Sequence, residues 1–197
     1  MMQHQIVYNY LVVYIVVFIY KIFYVFNKFS EGYKTISKRE FLKMKGWISL
    51  ELQLAIDLLN KEEAAKLAQK VEEYVDIVEI GTPIVINEGL PAVQHLNENI
   101  NNAKVLADLK IMDAADYEVS QAVKYGADIV TILGVAEDAS IKAAVEEAHK
   151  HGKALLVDMI AVQNLEQRAK ELDEMGADYI AVHTGYDLQA EGKSPLD

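Results

Sequence analysis

Val105-Leu106-Ala107-Asp108-Leu109-Lys110-Ile111-Met112-Asp113 sets two carboxylates and an ammonium within six residues of an otherwise apolar run. Val105 to Leu109 reads as a short buried strand. Side chains alternate along a strand, so Asp108 and Lys110, two apart, point to the same side. Asp113 follows three residues later, where the chain turns toward the next helix. An unpaired charge in such surroundings is costly, so these groups pair, bind a metal or meet a ligand. A structural ion pair at a strand end fits this stretch as well as a reactive site does. The rest of the chain separates the two.

From Leu50 onward the same kind of strand recurs. Leu52 to Leu58 is an apolar strand ending near Asp57, and Lys61 to Tyr74 has helical spacing. Asn60 is placed to cap that helix, with Glu63 three residues on. Val75 to Ile80 is a second strand, ending at Glu79-Ile80-Gly81, and the spacing predicts a helix over Asn87 to Ile100, preceded by Thr82-Pro83. Lys104 to Leu109 is the third strand, followed by a helix over Ala114 to Tyr125. Asp128 to Leu133, Lys153 to Ile160 and Asp178 to His183 are the remaining strands. Helices over Asp138 to His151 and Asn164 to Met175 lie between them. Continuous apolar strands alternating with helices are the mark of a parallel sheet buried on both faces. A weak repeat supports the reading: Tyr125-Gly126-Ala127-Asp128-Ile129-Val130 returns as Met175-Gly176-Ala177-Asp178-Tyr179-Ile180. Each copy closes a helix on Gly and opens a strand.

Such units build either an open doubly wound sheet or part of an eight-fold barrel. Charged residues recur at the strand C-termini: Asp57, Glu79, Asp108, Lys110, Asp158 and His183. In a barrel these ends converge on one mouth; in an open sheet they spread along an edge. No Gly-rich dinucleotide fingerprint follows the first strand. The expected fold is therefore an α/β (β/α)8 TIM barrel, incomplete, with about six βα units. A whole barrel takes about 200–250 residues, and 148 are available here. The chain reads as short by two units.

Residues 1–49 are of another kind. They hold all five Phe, the single Trp and six of the eleven Tyr, with seven Lys/Arg against two Asp/Glu. The rest carries 12 basic and 28 acidic residues, within a total formal charge of -11. Ile6 to Phe26 is apolar or Tyr except at Asn9 and Lys21, long enough for a hydrophobic helix that spans a bilayer. The Lys and Arg residues that follow favour a cytoplasmic C-terminal side. A second reading makes 1–49 a translated leader. Lys45-Gly46-Trp47 can be encoded by a ribosome-binding sequence and Leu50 by TTG, so that the working protein starts at residue 50 in the cytoplasm. Either way the division falls between 1–49 and 50–197. With no Cys, disulfides and thiolate chemistry are excluded. The acidic balance argues against nucleic acid as a partner.

Glu51-Leu52-Gln53-Leu54-Ala55-Ile56-Asp57, Val78-Glu79-Ile80-Gly81-Thr82-Pro83, Asp108-Leu109-Lys110-Ile111-Met112-Asp113 and His183-Thr184-Gly185-Tyr186-Asp187 together resemble the 3-hexulose-6-phosphate synthases. These belong to the orotidine-monophosphate-decarboxylase superfamily of barrels. The likeness runs almost continuously over 50–197 and does not reach 1–49. It implies an aldehyde-lyase of the ribulose monophosphate pathway. That enzyme condenses D-ribulose 5-phosphate with formaldehyde to D-arabino-3-hexulose 6-phosphate through a Mg²⁺-stabilised enediolate. It further implies Glu79 and Asp108 as metal ligands and Lys110 as a positive charge beside the developing oxyanion. Asp57 would keep Lys110 charged and oriented, and His183 would transfer the proton. Asp158 and Tyr186 would contact substrate, and Asp113 would reach across a homodimer interface.

Each residue also has a plainer reading. Asp57 pairs with Lys110, Glu79 caps a turn, His183 is a satisfied core histidine, and Asp158 bonds a neighbouring loop. His95, His149 and His151 face solvent on helices by pattern and are assigned no chemistry. The nearest rival activity is decarboxylation of 3-keto-L-gulonate 6-phosphate, through the same enediolate. The decarboxylases tend to carry Arg where this chain has Tyr186. A third reading is an inactive barrel fragment, because the family's last units carry the loops that grip the substrate phosphate.

Overall fold

The computed structural model describes residues 14–17, 51–57 and 59–193. Six parallel strands follow one another in sequence order: β2 (Leu52–Ile56), β3 (Ile77–Ile80), β4 (Lys104–Ile111), β5 (Ile129–Leu133), β6 (Ala154–Asp158) and β7 (Tyr179–Ala181). A short strand, β1 (Tyr14–Val17), pairs antiparallel with β2 at the edge. Apart from those four extended residues, the hydrophobic helix expected over 6–26 lies outside the described residues, as do the other readings of 1–49. No helix among the described residues is long and apolar enough to cross a membrane.

Helices cover the outer face: α1 (Lys61–Val71), α2 (Thr82–Glu88), α3 (Pro91–Asn99), α4 (Ala115–Lys124), α5 (Asp138–Lys150) and α6 (Leu165–Met175), with a short α7 (Tyr186–Ala190) at the end. Asn60 caps α1 in a capping box with Glu63, as the spacing predicts. The single helix expected over Asn87 to Ile100 is instead two. Pro83 opens α2 early, and Gly89, at φ 69°, ends it. Pro91 then starts α3, since its fixed φ and missing N–H suit a first turn.

The sheet's two faces carry two cores. Outward side chains such as Ile56, Ile80, Val105, Ile132 and Val157 pack on Ala68, Leu96, Val119, Ile141 and Leu172 of the helices. A fully buried Ile or Leu contributes about 1.5–3 kcal/mol over exposure. Inward, Ile77, Leu106, Ile129 and Leu156 form a smaller cluster with Tyr179 and Ala181. The sheet curls: Glu51, entering β2, accepts a hydrogen bond from the Tyr179 hydroxyl of β7 at 2.8 Å, across 128 residues of chain. This is the curled half-barrel of an incomplete TIM fold.

Candidate active site

One step further along each strand, the inner face turns from apolar to charged. The registers Ala55↔Glu79 and Glu79↔Leu106 place Glu79 on the inner row between β2 and β4. Leu133↔Asp158 and Asp158↔Ala181 place Asp158 on the same inner face, nearer the strand end. Asp57 follows the end of β2, and His183 follows β7. Six of the eight residues singled out in the sequence therefore meet at the C-terminal rim: Asp57, Glu79, Asp108, Lys110, Asp158 and His183.

Asp108 sits at the centre and is 5% exposed. Its Oδ2 accepts from Lys110 Nζ at 2.5 Å and faces the Thr82 hydroxyl at 2.7 Å; its Oδ1 accepts from the Thr131 hydroxyl at 2.8 Å. Lys110 also faces Asp158 Oδ2 at 3.5 Å. Burial alone would pull the Lys110 ammonium down, but Asp108, Asp158 and Glu79 outweigh it and hold the group above the ordinary lysine value. The direct partners of Lys110 are thus Asp108 and Asp158, and Asp57 acts on it through space. The strand carrying this pair is longer than the expected Lys104 to Leu109. It runs to Ile111 through a register shift between Ala107 and Ile111, with Lys110 in a left-handed conformation.

Glu79 accepts a short hydrogen bond from Gln53 Nε2. Burial, then the charges of Asp108 and Asp57, push its carboxyl up to about 8, against the pull of Gln53 and Lys110. Asp57 is raised too, by burial first and then by Asp108, with Lys110 and His183 opposing. Its carboxylate lies over Gly81: a Cβ there would fall 2.0 Å from Asp57 Oδ1. His183 turns Nδ1 to both oxygens of Asp158, at 2.8 and 2.9 Å. Burial would raise Asp158, yet the bond and charge of His183, the Ile160 N–H and Lys110 hold it below the usual carboxylate range. An ionised carboxylate only accepts, so Nδ1 carries the proton and Nε2 is left to exchange one.

Asp113 and Tyr186 stand apart. Asp113 is exposed before α4, and Tyr186 is 74% exposed at the first turn of α7. Three contributors went unassigned in the sequence: Gln53, Thr82 and Thr131. Gln53 and Thr131 each interrupt an apolar strand at an inward position, which is the signal that marks them.

The donor set suits a hard divalent cation. Asp57, Glu79, Asp108 and Asp158 surround one ammonium, and burial together with the repulsion of Asp108 and Asp57 raises the carboxyl of Glu79. Among the described residues no three His, Asp or Glu side chains form a ready-made metal cage. Mg²⁺ needs none, since it takes one or two carboxylates and fills its shell from water and substrate.

Comparison with known proteins places this rim in context. Residues 50–195 match the model of the orotidine 5'-phosphate decarboxylase / HUMPS family. Over 148 residues the chain is 99% identical to a protein of Staphylococcus epidermidis named 3-hexulose-6-phosphate synthase, covering 75% of this chain and 70% of that one. A Staphylococcus aureus protein of the same name is 82% identical over the same length. Among solved structures, a 3-hexulose-6-phosphate synthase from Salmonella typhimurium aligns at TM-score 0.70 and 45% identity, over 74% of this chain and 69% of that one. A 3-keto-L-gulonate-6-phosphate decarboxylase from Vibrio cholerae aligns at TM-score 0.66 and 28% identity, over 72% and 66%.

Proposed function

For a chain that belongs to the orotidine 5'-phosphate decarboxylase / HUMPS family of enzymes, we propose that the rim condenses D-ribulose 5-phosphate with formaldehyde to D-arabino-3-hexulose 6-phosphate. One observation carries the reading. Glu79, Asp108, Lys110 and His183, from three strands, gather at one mouth in a sequence 99% identical over 148 residues to a named synthase.

His183 Nε2 removes a proton from C1 of the ketose phosphate, leaving an enediolate. Asp158 holds the ring through Nδ1 and stabilises the imidazolium so formed. Lys110, kept charged by Asp108 and Asp158, faces the oxygen on which negative charge develops. C1 then adds to formaldehyde, forming one carbon–carbon bond, and the imidazolium returns its proton to the new alkoxide. Mg²⁺, when bound, would be held by Glu79 and Asp108 and would supply positive charge to neutralise the enediolate. Asp57 shapes the field around Lys110, and Asp158 and Tyr186 border the substrate. Asp113, exposed beyond β4, would serve a second copy in a homodimer.

Two assays run side by side test this. They are Mg²⁺-dependent loss of formaldehyde with ribulose 5-phosphate, and CO₂ release from 3-keto-L-gulonate 6-phosphate. Both use the 197-residue chain and a version extended to the length of the S. epidermidis relative. Formaldehyde consumption abolished by Lys110→Ala is the expected result. CO₂ release without formaldehyde consumption would hand the site to the decarboxylase, the activity named for a structural neighbour at 28% identity. Silence of the extended chain in both assays would overturn the proposal.

A further inference from the structure

One buried hydroxyl, that of Thr131, touches both halves of the Asp108–Lys110 pair. Strands β4 and β5 are in register at Ala107↔Val130 and again at Ile111↔Ile132, so four steps of β4 face two of β5. Asp108, Leu109 and Lys110 lie inside that excursion. Lys110 is left-handed there, at φ 49°, a conformation that is strained for a residue other than glycine. Its N–H donates to Thr131 Oγ1 at 2.9 Å. The same hydroxyl donates to Asp108 Oδ1 at 2.8 Å. Thr131 is 3% exposed, so water does not compete for these bonds.

A hydroxyl has one proton and two lone pairs. Here the proton goes to the carboxylate and a lone pair to the amide. With Oδ1 so held, Asp108 turns Oδ2 to Thr82 and to the Lys110 ammonium. The amide bond meanwhile pins the strained backbone from which the Lys110 side chain departs. Valine would suit a buried strand better than threonine does, so the hydroxyl answers to these two polar groups. We infer that Thr131 is a positioning residue for the reaction: its hydroxyl sets the placement of Asp108 relative to Lys110, touching neither substrate nor cation. The inference rests on the aldol roles proposed for those two residues.

Thr131→Val keeps the shape and removes the hydroxyl; Thr131→Ser keeps the hydroxyl and removes a methyl. Three readouts on the whole chain, as it stands and extended to the relative's length, separate them. These are kcat against KM, Mg²⁺ affinity by calorimetry without substrate, and hydrogen exchange at the Lys110 amide. Thr131→Val is expected to lower kcat about 10²-fold with little change in KM. It should also weaken Mg²⁺ binding and speed Lys110 exchange about tenfold, while Thr131→Ser stays near the parent in all three. A merely structural threonine would give the opposite: lowered stability in both variants with kcat per folded molecule intact, and that result overturns the inference. If Thr131→Val does not fold, Thr131→Ala, which also lacks the hydroxyl, takes its place. Lowered kcat and fast Lys110 exchange beside a parental Thr131→Ser support the inference; parental kcat in Thr131→Ala overturns it. If the parent shows no turnover even when extended, the aldol reading has failed. Unchanged Lys110 exchange between the two variants would then sink the placement separately.

Discussion

Glu79 and Gly81 show how narrowly the rim is set. Glu79 has a carboxyl raised to about 8 by burial, Asp108 and Asp57, so the folded chain holds a proton that the unfolded chain has released above its ordinary value near 4.5. Between those two values the unfolded state binds fewer protons, and stability falls as pH rises; above about 8 the loss is complete. Asp57 is shifted in the same direction. Asp158, held low, and Lys110, held high, contribute a constant amount across this window. The metal-free chain should therefore lose resistance to urea between about pH 5 and 8. Glu79→Gln should flatten that slope, and so should saturating Mg²⁺; a stability that rises over this range would contradict the assignment. At Gly81 the constraint is steric. A Cβ would lie 2.0 Å from Asp57 Oδ1 and 2.8 Å from the Ile56 carbonyl oxygen. Gly81→Ala must displace Asp57 or the strand end. Turnover should drop about 10²-fold while circular dichroism stays that of the parent.

Elements were legible in the sequence wherever one period ran unbroken. The strands Leu52–Ile56, Ile129–Leu133 and Ala154–Asp158 lie inside the apolar runs that announce them, and Asn60 with Glu63 marks the start of α1. What was not legible depends on contacts between elements. Alternation alone puts Asp108 and Lys110 on one side, but β4 also carries a register shift within which Lys110 N–H donates to a hydroxyl of β5. Thr131 is silent until the strands are paired. The split between α2 and α3 was written in Gly89 and Pro91, yet helical spacing on both sides masked it. The short repeat proved more regular in space than in sequence. Asp128 N–H donates to the Val105 carbonyl while its carboxylate accepts from Val105 N–H at 2.9 Å. Asp178 does the same with Leu155, and Asp76, outside the repeat as read, does so with Leu52. Every second parallel strand is thus buttoned to its predecessor at the end opposite the mouth. Asp128 also holds Lys153 at 2.7 Å. Asp128→Ala should cost about 1–3 kcal/mol in urea unfolding and leave kcat within a few-fold. A large loss of kcat at full stability would mean that the far end is coupled to the chemistry.

Across the whole molecule, the curl of the sheet does two things at once. At one end it brings His183, after β7, close enough to oppose the rise that burial and Asp108 impose on the carboxyl of Asp57, after β2, so the first and last parallel strands share the reactive rim. At the other end Tyr179 donates to Glu51 at 2.8 Å, and Lys104 Nζ reaches Glu51 at 2.7 Å and the Tyr179 oxygen at 3.1 Å. Burial would lower the Lys104 ammonium, but Glu51 and Tyr179 override it and push the group up to about 12. This knot of three polar groups joins the first and last of the six parallel strands, so it resists uncurling where backbone pairing does not. Tyr179→Phe isolates that effect. The ring stays beneath the Lys104 cation, 5.8 Å from its centroid, and the bond from β7 to the entry of β2 goes. Stability should fall by about 1 kcal/mol. More tellingly, amide exchange should quicken in both β2 and β7, although the two are distant in sequence and only one is altered. Faster exchange in β7 alone would mean that Tyr179 anchors its own strand and that the curl is held elsewhere.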